Sequence, residues 1–328
     1  MTLKDLRIVF MGTPEFAVAS LDALVQVGCN IVGVITAPDK LSGRGMQLNE
    51  SAIKKYALEK SLRILQPEKL KNPEFLQDLK SLQADVQVVV AFRMLPEAVW
   101  NMPPMGTINV HGSLLPQYRG AAPINWAVIN GEKKTGVTTF KLQHAIDTGD
   151  VLLQQSMPIG NDENVGEIHD KMKILGAAIL VKTIQGLADG TLKEKPQDKS
   201  VKEQDSSFNQ ATPAAGNLQS ITVLKHAPKI FTETCVIDWN KSVDEIHNLI
   251  RGLSPYPAAF TNLNNKKLKI FKSSKELAPH QYETGKVFTD NKTYLKFSCS
   301  NGFINVLDIQ LEGKKRLLME EFLRGYRP

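Results

Sequence analysis

Short apolar runs separated by helical patterns constrain this 328-residue chain more than any other feature. Leu6-Arg-Ile-Val-Phe10, Ile31-Val-Gly-Val-Ile35 and Val86-Gln-Val-Val-Val-Ala91 are rich in β-branched residues and do not alternate with polar ones. Strands of that kind are buried on both faces, as in parallel sheets covered by helices. Helical segments fill the gaps. Thr13 as N-cap and Pro14 at the first helical position open one of them, Phe16, Leu21, Leu24 and Val25 give it an apolar face, and Gly28 suits its C-terminal end. Others are predicted around 50–62, 73–82 and 166–187. The expectation is an α/β fold: a Rossmann-like, mostly parallel sheet flanked by helices, occupying residues 1–190.

Such a sheet binds ligands outside the carboxyl ends of its strands. At the end of the strand predicted over 107–110 the chain reads Thr107-Ile-Asn-Val-His-Gly-Ser-Leu-Leu-Pro116, and later Gly136-Val-Thr138 leads on to Asp147-Thr-Gly-Asp150. Alternate strand positions face one side, so Asn109 and His111 address the same cleft. An amide can stabilise an oxyanion, and an imidazole can move a proton near neutral pH. A carboxylate, Asp147, can hold the imidazole's tautomer and support its charged form. Together these groups suit transfer of an acyl group to an amine. Alone, an Asn-x-His pair is more often a turn or a hydrogen-bonded core pair. Asp150 offers a second carboxylate, and the residues alone leave open which of the two matters more. Gly12 is the only glycine in the first strand–helix turn, so the Gly-x-Gly-x-x-Gly fingerprint is absent and a nicotinamide enzyme is rejected.

Charge is distributed unevenly. Residues 1–200 carry 22 Lys and Arg against 21 Asp and Glu, whereas residues 201–328 carry 18 against 13. A basic module beside a near-neutral one fits a polyanionic partner, with a merely soluble basic surface as the plain alternative. Three scattered cysteines without Cys-x-x-Cys spacing fit free thiols better than disulfides or zinc. With no signal-peptide pattern and no long apolar run, the chain is expected to be cytoplasmic, without membrane attachment or a bound metal. Residues 191–224 read as a polar linker or long surface loop. Beyond it, Ser242 caps a helix near 243–253, and short strand-like runs follow at 258–263, 268–271, 285–288, 294–298 and 303–310. A small C-terminal OB-type β-barrel over 225–328 fits that spacing.

These motifs resemble the methionyl-tRNA formyltransferase family along nearly the whole chain. Met11-Gly-Thr-Pro-Glu-Phe16, Thr36-Ala-Pro-Asp39 with Gly43-Arg-Gly45, Val90-Ala-Phe-Arg-Met-Leu-Pro96 and Arg119-Gly-Ala-Ala-Pro-Ile124 carry the resemblance beside the run from Asn109 to Asp150. In the tail it rests on Ala227-Pro-Lys-Ile230, Ile237-Asp-Trp239 and Pro255-Tyr-Pro257. The resemblance implies transfer of the formyl group of 10-formyltetrahydrofolate to the α-amine of methionine on initiator tRNA, with Asn109, His111 and Asp147 catalytic. It implies a folate pocket of Val90, Ala91, Phe92, Leu95, Ser113, Leu114, Leu115 and Pro116. Arg44 would reach the tRNA acceptor end, and Lys266, Lys267, Lys269, Lys314, Lys315 and Arg316 would track its backbone. The enzyme is expected to be a monomer. Departures from the family pattern fall at Phe92-Arg93, which would put Arg93 near the pterin, at Gln117-Tyr118 and at Gln143-His144. Three alternatives stay open: a related formyltransferase acting on a sugar-nucleotide or ribonucleotide amine, a formyltetrahydrofolate hydrolase with water in place of the amine, and an inactive RNA-binding relative.

Overall fold

A computed structural model describes residues 1–42, 47–197 and 223–325. The chain divides into two units, the first comprising Met1–Arg119, Gly136–Ser156 and Asp170–Lys225, the second Gly120–Thr135, Met157–His169 and His226–Pro328.

A seven-stranded sheet dominates the first unit. Its order is Val151–Pro158, Lys134–Lys141, Thr107–His111, Val86–Val90, Arg7–Gly12, Asn30–Ile35 and Ile64–Leu65. The last five of these run parallel, and Lys134–Lys141 runs antiparallel to Thr107–His111. Ile8 through Met11 and Val86, Val88 and Val90 are fully buried, as the continuous apolar runs require. From the central strand the chain winds outward to Ile64–Leu65, then returns to Val86–Val90 on the other side. Gly12 and Val90 therefore lie side by side at the point where the winding reverses. A β-carbon on Gly12 would come within 2.7 Å of Ala17 Cβ, so glycine there lets the first helix close on the strand end.

The predicted helices form at Glu15–Gln26, Ala52–Glu59, Pro73–Ser81 and Val165–Ala188. The first differs at its start. Pro14, not Thr13, is the N-cap residue, with extended backbone and no capping side chain. Proline's fixed φ suits the last extended residue as well as the first helical one.

In the second unit, Ser242 caps the helix Val243–Gly252 through a reciprocal pair with Glu245. Val243, Ile246 and Ile250 form the helix's apolar stripe and join Leu268, Ile270, Phe297 and Ile304 in one core. The antiparallel sheet runs Ala259–Leu263, Lys266–Leu277, Gly302–Leu311, Leu295–Cys299, Val287–Thr289, with Leu317–Leu318 also on Gly302–Leu311. Asn264 and Asn265 both adopt positive φ, making the two-residue loop that matches hairpin twist. Register shifts near Lys272 bend the long second strand. The result is an antiparallel half-barrel: among the described strands no pairing closes it, which narrows the expected OB-type barrel to an open form.

Candidate active site

The strand Thr107–His111 ends inside the first unit on a buried histidine. His111 is 6% exposed and lies edge-on to Phe140. Its Nε2 is 2.9 Å from the Tyr118 backbone carbonyl. A carbonyl only accepts, so Nε2 carries a proton, and in the neutral ring the basic atom is Nδ1. Nδ1 faces the Asp147 carboxylate, with Oδ2 at 3.7 Å. The Tyr118 carbonyl thus sets the tautomer, a job the sequence reading gives to Asp147. Asp147 faces the lone pair and is placed to stabilise the ring once it is protonated.

Two loops hold this pair. Tyr118 sits at positive φ, and its N–H donates to the Lys225 carbonyl at 2.6 Å. Asp147 also has positive φ, which aspartate tolerates better than most residues. The buried Gln197 amide donates to the carbonyls of Asp147 and Gly149, each at 2.8 Å, while its oxygen accepts from Arg119 at 2.6 Å. Gly149 is obligatory: a β-carbon there would fall 1.6 Å from the Lys141 carbonyl. The Asp150 backbone carbonyl accepts from Lys141 N–H at 3.0 Å. Gln197 lies in the polar stretch read as linker, and nothing in its local sequence marks it as part of a site.

Asn109 is half-buried on the same strand, and among the described residues no side-chain hydrogen bond engages its carboxamide. It is two residues from His111, so both side chains leave the same sheet face.

Next to it, where the winding reverses, lies the end of Val86–Val90. Val90 ends its strand fully buried, and Ala91 turns the chain with positive φ. Phe92 is half-buried against the core that contains Leu95. The Arg93 guanidinium donates to the Glu68 carbonyl at 2.8 Å and to the Pro67 carbonyl. Burial holds its pKa below the usual guanidinium range. The loop from Ser113 to Pro116 is knit around the buried Thr138, whose hydroxyl donates to the Ser113 carbonyl at 2.7 Å and accepts from Leu115 N–H at 3.1 Å. Ser113 spends its own hydroxyl on the Gln117 carbonyl at 2.7 Å. Leu115–Pro116 is a cis peptide. His144, another of the departures noted, is exposed and lies 3.2 Å from Glu97.

Arg44 falls outside the described residues. Lys266, Lys267 and Lys269 stand on the second strand of the half-barrel, and Lys314 and Lys315 are exposed in the turn after Gly302–Leu311. Arg316 pairs with Asp308 through two contacts of 2.9 and 2.7 Å and covers the Phe271 ring. The three thiols are free, and burial pushes Cys29 up to about 11. Among the described residues no helix is long and apolar enough to cross a membrane.

The profile of the formyl transferase family matches residues 6–184, and that of the formyl transferase C-terminal domain matches 229–327. The methionyl-tRNA formyltransferase of Bacteroides thetaiotaomicron is 51% identical, covering 100% of this chain and 98% of that protein. The protein of the same name from Phocaeicola vulgatus is 53% identical, with coverage of 100% and 98%. Among solved structures, the N-formyltransferase from Helicobacter canadensis, in complex with folinic acid and dTDP-3-aminofucose, superposes with a TM-score of 0.65. It is 18% identical, covering 95% of this chain and 100% of that one, a likeness of fold. With about half its residues shared from end to end, the chain belongs to the methionyl-tRNA formyltransferases.

Proposed function

We propose that this enzyme formylates the α-amine of methionine on initiator tRNA with 10-formyltetrahydrofolate as donor, using Asn109, His111 and Asp147. The observation that carries the assignment of residues is the pairing of His111 Nδ1 with Asp147 at 3.7 Å, beside Asn109, at the carboxyl end of a parallel sheet. The substrate amine attacks the formyl carbon, and charge develops on the formyl oxygen. The Asn109 carboxamide N–H donates to that oxygen. His111 takes the proton shed by the amine at Nδ1, because Nε2 is already protonated against Tyr118. The cation so formed lies between a carbonyl and the Asp147 carboxylate. When the bond from the formyl carbon to the folate nitrogen breaks, that nitrogen takes the proton back from His111 Nδ1, and an N-formyl amide and tetrahydrofolate leave with the imidazole neutral again.

In this reading the donor's planar pterin binds at the winding reversal, against Val90, Ala91, Phe92 and Leu95 and the loop of Leu114, Leu115 and Pro116. What supports this reading is the mixture of apolar side chains and turn backbone at the winding reversal. Ser113 shapes that loop from within. Residues 1–190 carry the chemistry and 225–328 contribute basic contacts to the tRNA, with Lys266, Lys267, Lys269, Lys314 and Lys315 exposing charge. Arg316 is largely neutralised by Asp308. The enzyme works as a single chain.

A single-turnover reaction with 10-formyltetrahydrofolate and methionyl-tRNA tests the assignment. Wild type should transfer the formyl group, and His111→Ala should be slower by at least a hundredfold, the scale of general acid–base catalysis. Near-normal transfer by His111→Ala would remove His111 from the mechanism.

A further inference from the structure

A concave surface of about 480 Å³ in the second unit has the composition of a site for unpaired nucleotides. Three aromatic rings and three lysines line it: Phe231, Tyr256 and Phe260 with Lys229, Lys267 and Lys269. Among its described lining residues there is no Asp or Glu. Tyr256 is 81% exposed and Phe231 58% exposed, which is unusual for two large rings sharing one hollow. Single exposed aromatics need no explanation, but a cluster on a concave surface does.

The sheet builds half of this surface. Phe260 lies directly opposite Lys269 in the antiparallel pair, and Lys267 is two residues along the same strand. All three side chains therefore leave one face. The Lys267 ammonium sits 4.3 Å from the centre of the Phe260 ring, and the Lys229 ammonium 5.6 Å from that of Phe231. Ammonium groups set beside ring faces leave an arrangement in which a base can stack while its phosphate meets a cation.

A second hollow in this unit, of about 590 Å³, shows what the first is not. Asp162, Glu163, Glu167 and Asp308 line it alongside its basic residues. A polyanion would meet four carboxylates there and none in the smaller hollow.

We infer that the Phe231–Tyr256–Phe260 hollow binds unpaired nucleotides of the tRNA acceptor end, by stacking on the exposed rings and by phosphate contacts to Lys229, Lys267 and Lys269. The inference rests on the reading of methionyl-tRNA as the amine substrate. It adds that the half-barrel engages single-stranded RNA through base faces as well as charge. Stacking on an aromatic ring is sequence-tolerant and largely independent of salt, whereas phosphate contacts are not.

Equilibrium binding at several salt concentrations tests this, using methionyl-tRNA and a tRNA trimmed of its unpaired 3′ nucleotides. Phe231→Ala and Tyr256→Ala should each weaken binding of the intact tRNA roughly tenfold at fixed salt, with the salt slope unchanged. Both should bind the trimmed tRNA as wild type does. Lys267→Ala should lower the salt slope by about one. Both rings are exposed, and an unchanged thermal melt would confirm intact variants. Wild-type affinity of both aromatic variants for intact tRNA would overturn the proposal, and so would equal losses on intact and trimmed tRNA. A wild-type protein that binds no methionyl-tRNA at all would instead overturn the reading beneath it.

Discussion

The side-chain amide of Gln197 donates one hydrogen to the Asp147 carbonyl and the other to the Gly149 carbonyl, each at 2.8 Å. A residue from the connector thereby holds the loop that presents the carboxylate to His111. Its oxygen is anchored in turn by Arg119. The other described end of the connector does something similar, since the Lys225 carbonyl accepts from Tyr118, whose own carbonyl fixes the His111 tautomer.

Gln197→Ala should therefore lower kcat more than it raises KM for the folate. It leaves two carbonyls without their donor, and such losses cost about 1–3 kcal/mol where the groups are buried. Gln197→Glu keeps the shape and the partner for Arg119 but places carboxylate oxygen against the two carbonyls, so its loss should be at least as large. Steady-state kinetics on both variants would decide, and equal kcat in wild type and Gln197→Glu would count against the brace.

Asn109→Ala should slow single-turnover transfer by about 10²–10³-fold, the scale of one preorganised oxyanion donor. Donor affinity should change little, because the amide acts on charge that develops during attack. Asp147→Asn should leave the His111 tautomer intact, since Tyr118 sets it, and should remove only the stabilisation of the cation. Its rate loss should be smaller than that of His111→Ala. The comparison is a rate measurement across the three variants, and an Asp147→Asn defect exceeding His111→Ala would contradict the assignment of the tautomer to Tyr118.

Much of this was legible in the chain. Burial on both faces wrote the central strands in β-branched residues, and the spacing of Asn109 and His111 on one strand put them on one side. The Ser242 cap was also readable, because the hydrogen bond at a helix start restricts residue choice there. What stayed hidden acts through backbone or over long distance. No side chain advertises the Tyr118 carbonyl, and Gln197 meets Asp147 across 50 residues. The Arg93 guanidinium likewise reaches the Pro67 and Glu68 carbonyls of another segment, contacts that no local pattern announces.

Ser242→Ala should destabilise the second unit by about 1 kcal/mol, as loss of an N-cap typically does. The capping box also lowers the Glu245 pKa, chiefly through its hydrogen bond to the Ser242 side chain. A carboxylate whose pKa falls on folding contributes stability above its unfolded pKa and loses it as pH drops through the folded one. The difference between wild type and Ser242→Ala should thus shrink on acidification. Urea denaturation near neutral pH and at a pH well below the carboxylate range would measure it.

Thr138 offers the sharpest separation of architecture from chemistry. Its hydroxyl donates to the Ser113 carbonyl and accepts from Leu115 N–H and from the Gln154 amide at 3.0 Å, all in a buried setting. Valine matches its shape and can make none of these bonds. Thr138→Val should cost roughly 1–3 kcal/mol of stability for the polar groups left unpaired. It should also weaken donor binding, because the loop from Ser113 to Pro116 loses the hub that fixes its backbone. The pair proposed as catalytic, His111 and Asp147, is held by Tyr118 and Gln197 rather than by the Thr138 hydroxyl, so the rate at saturating donor should fall far less than it does in His111→Ala. Denaturation together with a donor titration of single-turnover rates would test this. Unchanged donor affinity would show that the loop keeps its shape without Thr138 or does not meet the folate.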